Sequence, residues 1–144
     1  MNQKLNTTMF IITHDLEAAL ICDKTAILRE GRLLEFDNPQ NLILSLPSEG
    51  LIARFTIENL SEKIIDIIYE YKPIKKILRV GNEVIEILME DFEENLPGFI
   101  QYLINHNINV FSMSRDIASF RRFFQIRIQE EEQREKKERD DLLL

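Results

Sequence analysis

The chain has 144 residues, 44% of them hydrophobic, enough to bury one domain-sized core or two small ones. Its formal net charge is −7 and its basic residues are scattered, which leaves no electrostatic footprint for phosphate backbones or anionic lipid. Nucleic acid is therefore not an expected partner, and the single cysteine, Cys22, excludes an internal disulfide and reads as a buried structural thiol.

At the N-terminus only a short apolar run, Met9-Phe10-Ile11-Ile12, follows Met1-Asn2-Gln3-Lys4, so neither a signal peptide nor a spanning helix fits. Membrane association is expected only through a partner. A brief, continuously apolar run is the pattern of a parallel strand covered on both faces. Thr13-His14-Asp15 then falls at the C-terminal end of that strand, where open α/β sheets bind ligands. Asp15 is placed to cap a short helix over residues 16–22, and a capping role fits it at least as well as a catalytic one. Thr25-Ala26-Ile27-Leu28 and Arg32-Leu33-Leu34-Glu35-Phe36 flank Glu30-Gly31 and predict a β-hairpin. Asp37-Asn38-Pro39 opens a helix that ends before Pro47, and Pro47-Ser48-Glu49-Gly50 is the best domain boundary.

Beyond that boundary, a strand over residues 51–57 leads to Asn59-Leu60-Ser61-Glu62, which starts a helix with Ile64, Ile65, Ile67 and Ile68 inward and Pro73 at its end. Residues 74–80 and 83–90 bracket Gly81-Asn82 and predict an antiparallel hairpin with a two-residue turn. A second helix is expected over residues 96–106, with Pro97 in its first turn and Phe99, Ile100, Leu103 and Ile104 as its apolar stripe. His106 then belongs to the C-terminal cap region. A strand over 108–114 completes the order β-α-β-β-α-β, the ferredoxin-like plan, in which two helices cover one face of a four-stranded antiparallel sheet. Residues 117–128 are apolar enough to dock as a helix. Residues 130–141 hold seven acidic and four basic residues and no apolar one, so a solvated helix or a disordered tail is expected.

The residues from Thr8 to Pro39 (strand, Thr13-His14-Asp15, helix, hairpin glycine Gly31 and Pro39-led helix) agree in order, without a gap over about thirty positions, with one family. They resemble the H-loop and following hairpin of ABC-transporter ATP-binding subunits. The region from about Ile57 to Ile128 resembles, less specifically, the C-terminal extension of exporter-type subunits; Arg121 and Arg122 stand where that family's closing helix is usually acidic. The resemblance implies that His14 is the catalytic switch histidine and contacts the γ-phosphate of ATP, with ATP and magnesium as cofactors of the intact family. A positioned imidazole donor suits that role because phosphoryl transfer spreads negative charge over the γ-phosphate oxygens. It also implies a transmembrane permease and a second ATPase subunit as partners and a cytoplasmic location at the inner face of the membrane.

The parts that would hold the nucleotide do not occur in these residues. The four glycines, Gly31, Gly50, Gly81 and Gly98, are too widely separated for a phosphate loop, and neither an ABC signature nor a strand ending in Asp-Glu is found. Glu90-Asp91 follows a hairpin strand and does not replace that acidic pair. No metal-ligand spacing or Ser/His/Asp arrangement is apparent for an independent hydrolase. The expected organisation is an α/β chain in three parts. Residues 1–50 form the tail end of an ABC ATPase core (strand, helix, β-hairpin, helix). Residues 51–128 form a ferredoxin-like domain, and 129–144 a charged tail. Such a chain would be part of an ATP-binding subunit and inactive alone; the alternative is a free-standing regulatory or dimerisation module.

Overall fold

A computed structural model describes residues 7–143. Its mixed α/β architecture holds two antiparallel sheets, a two-stranded one near the N-terminus and a four-stranded one beyond it. The expected first strand is absent. Residues 7–15 carry no strand or helix, and Phe10 and Ile12 are 94% and 101% exposed. The physical reason is that a strand needs neighbours to take its N–H and C=O groups, and no other strand among the described residues lies beside Met9–Ile12.

Asp15 does cap the next segment, its carboxylate accepting from Glu17 N at 3.0 Å. That segment, Leu16–Ile21, is a 3-10 helix rather than an α-helix, and none of its residues is buried. Cys22 is only half-buried, not enclosed, and its thiol donates to Ala18 O at 3.3 Å. The hairpin forms as expected: β1 (Thr25–Arg29) pairs with β2 (Arg32–Asp37). Its turn residues Glu30 and Gly31 both have left-handed φ, 48° and 76°, the requirement of a tight two-residue connection. Helix α1 (Pro39–Leu44) follows, with Pro39 at its start and the Asn38 side chain accepting from Gln40 N at 2.9 Å.

The four-stranded sheet consists of β3 (Leu51–Ile57), β4 (Ile74–Arg79), β5 (Val84–Met89) and β6 (Val110–Ile117), in the order β4-β5-β3-β6 with every neighbouring pair antiparallel. Helix α2 (Glu62–Tyr69) joins β3 to β4, capped by Ser61 Oγ, which accepts from Ile64 N at 3.3 Å. Helix α3 (Phe92–Asn105) joins β5 to β6. Alternation along the strands divides the apolar residues between two faces. Phe55, Ile57, Ile85, Ile87 and Met89 pack with Ile65, Ile68, Phe99 and Leu103 of the two helices, while Ile52 and Leu88 point to the reverse face.

That reverse face is covered by chain from both sides of the sheet in sequence. Ile27, Leu42, Ile43 and Leu46 from the N-terminal part meet Phe120, Phe123 and Ile126 of helix α4 (Phe120–Leu142) over Ile52 and Leu88. The connector Pro47–Gly50 carries three successive residues of positive φ, Ser48, Glu49 and Gly50. Ser48 Oγ donates to Met89 O at 2.6 Å and accepts from Phe92 N at 3.0 Å, which ties the connector to the end of β5 and the start of α3.

Several element bounds differ from expectation. Val80 N donates to Val84 O, so the β4–β5 connection is the three residues 81–83 and not a two-residue turn at Gly81-Asn82. Helix α3 begins four residues early, at Phe92, which puts Pro97 inside the helix; Glu90 and Asp91 form the turn before it. Asn107, at φ 55°, closes that helix with Ile108 N bonded to Leu103 O, so the next strand begins at Val110 and includes Ile117. The charged stretch 130–141 is helical throughout, a continuation of α4.

Candidate functional site

His14, the residue singled out from sequence, is exposed and lies on the unpaired segment before the 3-10 helix. Its neighbours serve the backbone: Thr13 Oγ1 accepts from Asp15 N at 3.0 Å, and Asp15 caps the helix. Among the described residues, no three of His, Cys, Asp and Glu converge as a metal-binding set. The other polar candidates have structural partners. Glu90 pairs with Lys75 at 3.0 Å. His106 sits at the end of α3 with Nδ1 2.8 Å from Tyr102 O and its ring centroid 4.1 Å from that of Tyr102. Burial pushes the Tyr102 hydroxyl upward from its ordinary acidity, and that hydroxyl donates to Ile67 O at 2.6 Å.

Two buried carboxylates escaped sequence reading, and both lie on the reverse face. Glu86 of β5 is 4% exposed and receives Arg54 Nη2 at 2.6 Å; its other oxygen lies 2.7 Å from Arg122 Nε as an ion pair, out of hydrogen-bond alignment. Glu131 of α4 is equally buried and is met by Arg32, Arg127 and Arg134. The signal in the sequence was weak: Glu86 interrupts an apolar strand on its polar side, and Glu131 lies in a run of like residues. Further along α4, Arg29 forks onto Glu135 at 3.2 and 3.3 Å, and Arg127 reaches Glu35 at 2.7 Å. The Arg29 contact holds the Glu135 carboxyl below its ordinary range and raises Arg29 in return. Asp37 is likewise lowered, chiefly by the backbone N–H of Asn38. Two open clefts, of about 260 and 220 Å³, lie beside these ion pairs, and neither includes His14. With each carboxylate matched to arginine, the face is built as a charged clasp between the hairpin, α4 and the sheet.

No family model matches the chain. It is similar to the trimethylamine N-oxide transport system ATP-binding protein TmoW of Pelagibacter ubique, 34% identical over 101 residues, or 69% of this chain and 24% of the relative. It is 29% identical over 115 residues to the methionine import ATP-binding protein MetN of Protochlamydia amoebophila, 72% of this chain and 33% of that one. Over 56 residues it is 38% identical to the spermidine/putrescine import ATP-binding protein PotA of Mesomycoplasma hyopneumoniae, 38% of this chain and 12% of that protein. The chain thus spans a third or less of the length of each of these relatives. None of the three names is that of an exporter. Among the described residues, no helix is long and apolar enough to cross a membrane.

Proposed function

We propose that this chain, whose homologues over 69% of its length are ABC-transporter ATP-binding subunits, is a C-terminal portion of such a subunit. On this reading, residues 1–50 are the tail end of the ATPase core, 51–128 a ferredoxin-like domain and 129–144 a charged extension. The observation that carries the reading is the ordered agreement of Thr8 to Pro39 with the H-loop region of the family, in a chain whose relatives are ATP-binding proteins of transport systems. The β-α-β-β-α-β order with strands arranged β4-β5-β3-β6 supports the ferredoxin-like assignment of the second part. The relatives' names favour an importer over the exporter type suggested by the C-terminal resemblance alone.

Within a completed core His14 is assigned the γ-phosphate contact, and the bare Met9–Ile12 run the place of a strand between neighbours that the rest of the subunit provides. Alone, the chain is inactive; the completed subunit works with a second copy on a transmembrane permease at the cytoplasmic face of the membrane. The test joins the chain to a core carrying the phosphate loop, signature and Asp-Glu strand and measures ATP hydrolysis with and without His14→Ala. A loss of about 100-fold is expected, the scale of removing one preorganised donor from developing charge. An unchanged rate sinks the switch-histidine assignment.

The second reading, a free-standing regulatory or dimerisation module, draws on one observation. The unit from Leu51 to Ile117 closes its own apolar core around Phe55, Ile87 and Phe99, independently of His14. Production of the 144-residue chain as a separate protein in the cell would favour it.

A further inference from the structure

The two edges of the four-stranded sheet are built differently. Edge strand β4 carries Lys75, Lys76 and Arg79, the cationic side chains that discourage a second strand from adding on. Edge strand β6 has no lysine and no proline in its eight residues, all of which are exposed, including Phe111 at 65% and Ile117 at 63%. Its outward direction follows from the ladder. Ala118 N donates to Gly50 O, and this pair is in phase with 52/116, 54/114 and 56/112. Ser112, Ser114 and Asp116 therefore turn their backbone to β3, while Met113, Arg115 and Ile117 turn theirs to open space; the phase shifts at Phe111, where the ladder is bulged and Asn109 O accepts from Glu58 N. Consistently, the Ile117 N–H is met by the neighbouring Asp116 Oδ1 at 2.8 Å and not by β3.

We propose that β6 is where two copies of this chain associate, pairing antiparallel about a two-fold axis at Ser114 to make one continuous eight-stranded sheet. The strand is self-complementary in that register and in no neighbouring one. Outward-facing groups meet when the axis passes through a residue and not between two, and axes at 113 and 114 overlap the strands most. An axis at 115 sets Arg115 against its own copy, a like-charge pair. An axis at 113 sets Val110 against Asp116 and leaves Ile117 unmatched. At 114, Phe111 meets the partner's Ile117, Ser112 meets the partner's Asp116 and Met113 lies beside the aliphatic stem of the partner's Arg115. Arg115 is neutralised within its own chain by Glu93 of α3. The row Glu93, Pro97, Ile100, Ile104 runs along one side of that helix, and Ile100 and Ile104 are exposed on it. About four backbone hydrogen bonds join the two strands in this register, two in each pair of Met113 with the partner's Arg115.

The test uses the whole chain in solution at about 0.15 M salt, where charges more than a Debye length of about 8 Å apart are screened. Sedimentation is expected to show a concentration-dependent dimer. Ser114→Lys and Ser114→Glu each place like charges on the axis and should weaken it about tenfold or more, and mixing the two variants should restore association. In a Cys22→Ser background, Ser114→Cys should form an intermolecular disulfide, because facing residues of a non-hydrogen-bonded pair sit about 4.5 Å apart at Cα; Ser112→Cys should not. A chain that stays monomeric overturns the proposal. So does a dimer indifferent to Ser114→Lys, which would place association elsewhere, for instance on the bare N-terminal run. Crosslinking as efficient through Ser112→Cys as through Ser114→Cys rejects the register and with it the two-fold axis.

Discussion

Met9-Phe10-Ile11-Ile12 and Ile85 to Met89, the second apolar but for Glu86, both read as strands, and they end in opposite environments. The first is unpaired and open to solvent, whereas Ile85, Ile87, Leu88 and Met89 are all fully buried at the centre of a sheet. What separates them is the supply of neighbours. β5 has β3 and β4 on its two sides and helices over one face, so every peptide group and methyl has a partner. The N-terminal run has no second strand beside it among the described residues. An apolar run thus specifies a strand only in company, and the contrast shows where the chain's own residues suffice to build structure.

The largest effect should come from testing that contrast directly. Phe99 is fully buried, with its ring edge-on to Phe55 at 5.4 Å and 81°. Phe99→Ala should cost about 3–5 kcal/mol in denaturant unfolding, since both the transfer of the ring and the cavity count against it. Ile12→Ala should stay within about 0.5 kcal/mol, as a change in a side chain already in water. Comparable costs at the two positions would break the comparison and mean that the N-terminal run is buried in solution.

A second test addresses the joint between the two regions. Gly50 has φ 83°, and a Cβ there would stand 3.0 Å from Ile43 O. Gly31 has nearly the same φ, 76°, but open space around it. Gly50→Ala should therefore cost about 1–3 kcal/mol, and Gly31→Ala no more than the backbone penalty of about 1–2 kcal/mol. Equal losses at both sites would show that the connector gives way without cost, and that the N-terminal part is not held against the sheet there.

Much of this arrangement was legible in the sequence where local chemistry decides. Asp15 and Gly31 announced their cap and turn, and Asp37-Asn38-Pro39 and Asn59 to Glu62 their helix starts, because a side-chain oxygen, a proline ring or a missing Cβ acts within three residues; that Asn38 and Ser61 are the caps came from the structure. The β-α-β-β-α-β order followed from the same signals. The early start of α3 was not legible: Pro97 reads as a first-turn residue, and the helix extends before it because Phe92 is buried and Ser48, distant in sequence, accepts from its N–H. Nor was the reverse face. Glu86 is met by arginines 32 and 36 residues away in sequence, and Glu131 by Arg32, 99 residues away, besides its helix neighbours Arg127 and Arg134; over the longer distances charge patterning carries no information. His14 was singled out by its place after an apolar run and by resemblance, and it lies exposed beside a run that is not a strand here.

The smallest effect concerns the far end of α4, where 130–141 was open between a helix and a disordered tail. What favours the helix is its attachment to the hairpin, chiefly Arg29 forked onto Glu135. Glu135 is held below its ordinary value of 4.5 by that contact, so the tether's contribution is complete above pH 4.5 and disappears as pH falls through the lower folded value. Arg29, raised further by its hydrogen bond to Glu135, stays charged across the whole range and adds no transition of its own. The pair is exposed enough that its worth is small, and salt should weaken it further. The difference should therefore appear as local fraying before any global unfolding. Protection of the amides of residues 132–142, taken relative to their intrinsic exchange rates at each pH, should fall below pH 4.5 while that of β5 holds, and Glu135→Gln should show the same loss of protection at neutral pH. If Glu135→Gln leaves exchange in that segment unchanged, the helix stands on its own i,i+4 pairs such as Arg134 with Glu138, and the hairpin is not what orders it.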